Sequence, residues 1–330
     1  MTGIVPAPYS TDYEITDAMF GAFRAPGGMR LFWILAGWGT LFLTITSLPL
    51  IPSMIGSYVE LIVATANLET DADAASAVFG TMGRFFAYFT LWFIVYVGVV
   101  ALVRAAFFRN YFFSDPVNAF PIRFGGDEGR QALAILGFSA ALMFAYFIAL
   151  IICGMVFGAF VAAAGGESVV LFAFGMMLTY GLIMWVSAWI GLRLYAAGAL
   201  TALRRRIHVF AARHVSRNRF WAMFGSILVA GLIGNVVSYT TFSIGMLMAF
   251  SELGLADIFA LLSSADSAAS LAAIERASET AGFRITSIVA IVLTSFGYMV
   301  FTLMLAGPQA FFTKQWAEAA NATDREETQS

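Results

Sequence analysis

Residues 221–250 read WAMFGSILVAGLIGNVVSYTTFSIGMLMAF, thirty positions without an Asp, Glu, Lys, Arg or His. They follow directly on RRRIHVFAARHVSRNRF at 204–220, which carries six arginines, two histidines and no acidic residue. An uncharged stretch of roughly 20 residues is what a hydrocarbon core of about 30 Å asks of a helix. Cations gathered at one edge of such a stretch set its direction across a bilayer. The junction at Arg219, Phe220 and Trp221 therefore reads as the point where water-exposed chain enters a membrane.

Five further windows have the same character, at 31–51, 85–103, 132–161, 169–192 and 285–307. The fold class they predict is all-α: a polytopic membrane protein with six transmembrane helices arranged as three hairpins. The expected organisation is an interfacial N-terminal segment at 1–28, a transmembrane domain at 29–316 with an outward loop at 251–283 holding short surface helices, and a disordered polar tail at 317–330. The whole composition agrees. The chain is 60% hydrophobic and 12% charged, with a mean hydropathy of +0.83, whereas a soluble domain carries roughly 25% charged residues. Residues 1–17 are polar and acidic and lack an apolar signal core, so the first span is expected to serve as its own insertion signal.

Charge placement sets the expected orientation. Fifteen of the 18 Lys and Arg residues fall on one side of the alternating windows, and only Arg84, Arg276 and Arg284 fall on the other. By the positive-inside rule both termini and the loops after the second and fourth helices are cytoplasmic, while Glu60, Glu69, Asp71, Asp73 and the segment 252–279 face outward. The predominance of Arg over Lys fits a GC-rich bacterial genome, and the expected location is a bacterial inner membrane. At the N-terminus, Ile15, Met19, Phe20 and Phe23 share one helical face and predict a short helix lying in the interface, broken at Pro26, Gly27 and Gly28.

The three hairpins share a lead-in. Arg24 and Arg30, Arg123 and Arg130, and Arg213 and Arg219 stand six, seven and six residues apart before the three odd-numbered spans. AAFFRN at 105–110 rhymes with QAFFTK at 309–314. A triplicated hairpin would produce such spacing, and so would positive-inside charges and interfacial aromatics alone.

The sharpest feature is the basic segment itself. Leu203, Ile207, Phe210 and His214 fall on one helical face, so the segment can lie along the membrane with Arg204, Arg205, Arg206, Arg213, Arg217 and Arg219 over anionic headgroups, or dock an acidic partner. The bland reading is an anchor that fixes topology. A second candidate is a polar seam in the fifth and sixth spans, with Asn235, Ser238, Tyr239, Thr294 and Tyr298 lining a path for a solute. Its bland reading is hydrogen bonding and small-residue packing between helices.

Much chemistry is missing. His208 and His214 are six apart, not the three or four that place two ligands on one helical face, and Cys153 is the single cysteine. No metal or cofactor is expected, and nothing points to nucleic acid. No window holds the carboxylate, His or Lys that proton- or ion-coupled transporters need. Nucleotide, hydrolase and metalloprotease motifs are absent. Asp127 and Glu128, in the polar turn 125–129, read as a helix start leading into Arg130, or with His214 as a conceivable acid–base group.

Two stretches carry a resemblance: Phe120, Pro121, Ile122, Arg123, Phe124, Gly125, Gly126, Asp127, Glu128, Gly129 and Arg130, then Arg193 to Ala197 with Arg219, Phe220, Trp221, Phe224 and Gly225. In these the chain resembles bacterial six-helix inner-membrane proteins of unknown function, related to the membrane domain attached to some glycerophosphoryl diester phosphodiesterases. The resemblance implies the same six-helix body. It brings no catalytic residue, because the phosphodiesterase chemistry belongs to a separate soluble domain. The expectation is a non-enzymatic integral membrane protein that binds lipid, another membrane protein or a second copy of itself in a structural or accessory role. The alternative is a channel or facilitator for a neutral or amphipathic solute.

Overall fold

The computed structural model describes residues 15–24, 26–66, 74–115, 117–163, 169–217, 219–251 and 280–329. Among them it contains helices and no strand: α1 (Ile15–Met19), α2 (Gly28–Ser47), α3 (Leu50–Ala66), α4 (Ala74–Phe113), α5 (Gly126–Ala163), α6 (Val169–Leu194), α7 (Ala197–Arg204), α8 (Ala212–Ser216), α9 (Phe220–Phe250) and α10 (Ala281–Gln329). The expected surface helices of the 251–283 loop fall almost wholly outside the described residues. Six helices, α2, α4, α5, α6, α9 and α10, are long and apolar enough to cross a membrane. The chain is a multi-pass membrane protein.

The spans match the apolar windows but differ from them at their ends. The window 31–51 overruns α2, which stops at Ser47; Leu48 and Pro49 turn the chain, and α3 begins at Leu50. Proline has no N–H to continue a helical ladder, which explains a break there. α3 then packs along α4, and Glu60 meets Arg84 at 2.8 Å. With both side chains more than half exposed, that pair contributes little. At 40 and 49 residues, α4 and α10 are about 60 and 74 Å long, so both extend well beyond the hydrocarbon layer. The end of α10 corrects the expected disordered tail: 317–329 continue the helix to Gln329, as the good helix formers in AEAANATDREETQ favour.

The short N-terminal helix also packs inward on its small residues. Ala18 and Ala22 are buried, Phe20 is exposed, and α1 packs on α9 and α10. Small residues allow that approach: a Cβ at Gly307 would come within 2.5 Å of the Ala22 nitrogen, and one at Gly21 within 3.0 Å of the Gly307 carbonyl oxygen. The break before α2 is as expected. Gly27, at φ 88, takes a backbone conformation that side-chain-bearing residues rarely adopt.

One core holds most of the bundle. Leu31, Phe32, Leu35 and Leu43 of α2 meet Val99, Val103 and Phe107 of α4 and Met299, Leu303 and Met304 of α10, all buried. α9 lies antiparallel against α10 along a seam of small residues, with Gly234 at Phe301, Gly297 at Ser238 and Thr241, and Gly245 at Ala290. Hydrocarbon offers helices no hydrophobic reason to associate, and close backbone approach through small residues supplies van der Waals contact instead. The α5–α6 hairpin stands to one side. Only 11% of the most apolar window of each of its spans is buried, against 39% for α2 and α10. Its own small core is Ala149, Cys153 and Ile183, with Val186 against it.

Candidate functional site

The basic segment forms a cap across one end of the bundle, and local sequence explains its course. α7 ends at Arg204, and Arg205 takes a left-handed conformation at φ 52 that turns the chain. The Thr201 hydroxyl then accepts a hydrogen bond from the His208 N–H at 3.2 Å. Ala212 and Val215 of α8 are buried with Ala197, Met223 and Phe312. The Ser216 hydroxyl donates to the Arg213 carbonyl at 3.1 Å.

The six arginines of this segment divide into two sets. Arg204 stacks on Trp316 of α10 with its guanidinium carbon 4.9 Å from the ring centroid, Arg205 stacks on Phe113 of α4 at 5.0 Å, and Arg219 donates to the Gln315 side chain. These three anchor the cap. Arg206, Arg213 and Arg217 are exposed, and among the described residues their guanidinium groups form no ion pair or ring contact. Clustered positive charge in this form attracts anions, each cation adding about 1 kcal/mol at a surface of anionic lipid.

Beneath the cap lies a polar layer that the spans carry into the bundle. Arg104 of α4 donates to the Gln309 side chain of α10. Gln131 of α5 donates from Nε2 to the Gly198 carbonyl at 2.7 Å, and the Tyr195 hydroxyl donates to the Leu305 carbonyl at 2.5 Å. Arg109 pairs with Glu128, both largely buried, and donates to the Pro121 carbonyl at 3.2 Å. Asp127 pairs with Arg130 one turn on. The two carboxylates of the 125–129 turn thus each engage an arginine, and they sit in the first turn of α5, where the helix dipole favours them.

Beside the cap a groove runs between α5 and α6. It is an open furrow of about 540 Å³ and almost wholly apolar; on α5 the small Ala141, Ala145 and Ala149 alternate with Phe144, Ile148 and Ile152, Val186 and Ile190 line its α6 wall, and Phe210 of the cap also borders it. Phe210 is 70% exposed. The groove was readable in principle: Gly137, Ala141, Ala145, Ala149 and Cys153 recur at every fourth position of α5, and an i±4 row of small residues makes a furrow on a helix surface. Gly137 seats the cap, since a Cβ there would lie 3.0 Å from Val209 Cγ2.

The polar seam is divided. Asn235 and Tyr239 are exposed on the bundle exterior, while Ser238 and Thr294 are partly buried. Ser238 lies at the tight contact with Gly297, and Tyr298 turns its ring edge-on to Tyr96 of α4, 6.2 Å away. The hydroxyl of neighbouring Thr241 bonds back to the Val237 and Ser238 carbonyls at 3.0 Å each. Among the described residues no three of His, Cys, Asp and Glu come together in a metal-binding arrangement. No protein-family model, curated protein or solved structure matches the chain.

Proposed function

We propose that the chain is a non-enzymatic protein of a bacterial inner membrane, with both termini in the cytoplasm, that binds anionic membrane lipid through its arginine cap in a structural or accessory role. One observation carries this reading: Arg206, Arg213 and Arg217 are exposed and, among the described residues, form no ion pair or ring contact, while the other three arginines hold the cap to α4 and α10. A loop serving only to fix topology has no need of a scaffold that holds three of its arginines and leaves the other three exposed. The bias of 15 cations to three supports the orientation. The resemblance to six-helix inner-membrane proteins supports the location. The closed α9–α10 seam and the apolar core between α2, α4 and α10 favour binding over conduction.

The test is lipid selectivity of the purified chain. Incubated with nanodiscs or micelles doped with phosphatidylglycerol or phosphatidylcholine, the wild-type protein is expected to retain phosphatidylglycerol at least tenfold more tightly, with a preference that falls as salt rises. Arg206→Gln, Arg213→Gln and Arg217→Gln together should abolish the preference. Equal retention of the two lipids by wild type, or an unchanged preference in the triple variant, would overturn the proposal.

A further inference from the structure

The position of Phe210 links two features that the function above treats separately. Phe210 belongs to the cap, and it lines the apolar groove between α5 and α6. Arg213 follows one turn later, its N–H bonded to the Phe210 carbonyl at 3.4 Å. One end of the groove therefore lies a single turn from the exposed Arg213, and the rest of its lining is hydrocarbon-like.

Its dimensions select among occupants. The lining runs from Ala141 to Cys153 on α5 and from Leu182 to Leu194 on α6. Each is a rise of about 18 Å at 1.5 Å per residue, close to the roughly 15 Å depth of one leaflet. The 540 Å³ spread over that length gives a mean cross-section of about 30 Å², against about 80–110 Å² for a helix 10–12 Å across. One extended acyl chain fills a furrow of that section along its whole length, whereas a partner helix would seat only a ridge of side chains in it and would bring no anionic group to Arg213. A chain seated there brings its headgroup to the level of Phe210 and Arg213.

We infer that the α5–α6 groove holds one acyl chain of an anionic glycerophospholipid drawn from the leaflet at the cap end, with its headgroup phosphate at Arg213 and its neighbours. The inference rests on the proposed lipid-binding role and adds where the lipid lies and how many chains it engages. It also assigns a use to the otherwise sparsely packed hairpin: lipid in the groove completes the packing that α5 and α6 lack.

The experiment uses the full chain and phosphatidylglycerol carrying a photoactivatable diazirine midway along one acyl chain. In wild type the adducts should map to groove residues such as Ile148, Val186 and Ile190, at about one lipid per chain. Ala145→Phe, which fills the furrow from a partly buried wall position, should reduce adducts there at least tenfold. Ala141→Phe does the same nearer the cap and guards against a misfolded variant. Adducts spread evenly over α9 and α10, a protein–protein cross-link between α5–α6 hairpins, or undiminished labelling in both Phe variants would overturn the inference. If arginine neutralisation removes phosphatidylglycerol preference while the Phe variants bind as wild type does, the cap function survives and the groove assignment fails. If the Phe variants lose the lipid and arginine neutralisation changes nothing, the acyl site stands and the charge-based function falls.

Discussion

Val209 of the cap occupies the space that Gly137 of α5 leaves open, where a Cβ would come within 3.0 Å of the Val209 Cγ2. The contact seats the cap on the peripheral hairpin beside the groove. Replacing Gly137 by Ala sets two effects against each other. A helix-interior glycine costs about 0.5–1 kcal/mol relative to alanine, and Val209 must yield by a few tenths of an ångström, so the substitution should be nearly neutral. Gly137→Leu should instead lift the cap off α5, seen as faster tryptic cleavage after Arg204, Arg205 and Arg206 in mild detergent. Cleavage at the wild-type rate would show that Val209 does not hold the cap.

The α9–α10 seam makes a harsher demand. A Cβ at Gly297 would meet Thr241 Oγ1 at 2.2 Å and the Ser238 Cα at 2.7 Å; the hydroxyl can rotate away, but the backbone can yield only by moving a helix. Overpacking of that kind costs about 1–3 kcal/mol, more than the gain in helix propensity of up to about 1 kcal/mol. Gly297→Ala is expected to lower the thermal midpoint in detergent, while Gly56→Ala, with nothing within 4 Å, should leave it unchanged or raise it.

That contrast shows which parts of the molecule could be read from the sequence. Spans are written in composition, because each must satisfy a thick oily layer on its own, and the windows at 169–192 and 221–250 nearly coincide with α6 and α9. α3 escaped because its 17 residues, which include Glu60, look like a weak continuation of the first span until Pro49 is read as a break. The inward contact of α1 was not legible, because it rests on Gly21 and Ala22, small enough to sit against Gly307, and not on the large apolar residues that periodicity picks out. The arginine cluster was plain, but its division was not: nothing near Arg204 or Arg205 in the sequence points to Trp316 or Phe113, more than 90 residues away. The polar layer is of the same long-range kind, with Arg104 meeting Gln309 and Gln131 meeting Gly198.

The pair of Arg109 and Glu128 ties the end of α4 to the first turn of α5, with side chains only 12% and 7% exposed. Removing one partner of a buried pair costs up to about 3–5 kcal/mol, while replacing both with apolar groups of similar volume is often neutral; here Asp115, 3.8 Å from Arg109 Nε, compensates part of the loss of Glu128. Glu128→Ala should therefore destabilise strongly in a detergent or urea melt. The double variant Arg109→Met with Glu128→Leu should recover much of the loss. A double variant as unstable as Glu128→Ala would mean that the pair's hydrogen bonds, including that to the Pro121 carbonyl, matter more than its charge.

Two sets of arginines in one short segment should fail in different ways when neutralised. Arg204 and Arg205 hold rings on α10 and α4 at 4.9 and 5.0 Å, and a cation over an aromatic face contributes about 0.5–1 kcal/mol when exposed and up to about 2 when desolvated. Arg204→Gln with Arg205→Gln should therefore lower stability by about 1–3 kcal/mol. Part of the Arg205 loss is offset in Arg205→Gly, because glycine relieves the left-handed backbone at φ 52. Arg206, Arg213 and Arg217 make no such contacts among the described residues, and surface substitutions of this sort change stability by about 0.5 kcal/mol or less. Neutralising them should leave the melt in place and flatten the salt dependence of phosphatidylglycerol retention. Matching losses of stability and lipid preference in both sets would mean that the cap's six cations act as one structural unit, and that the division seen in the fold carries no functional meaning.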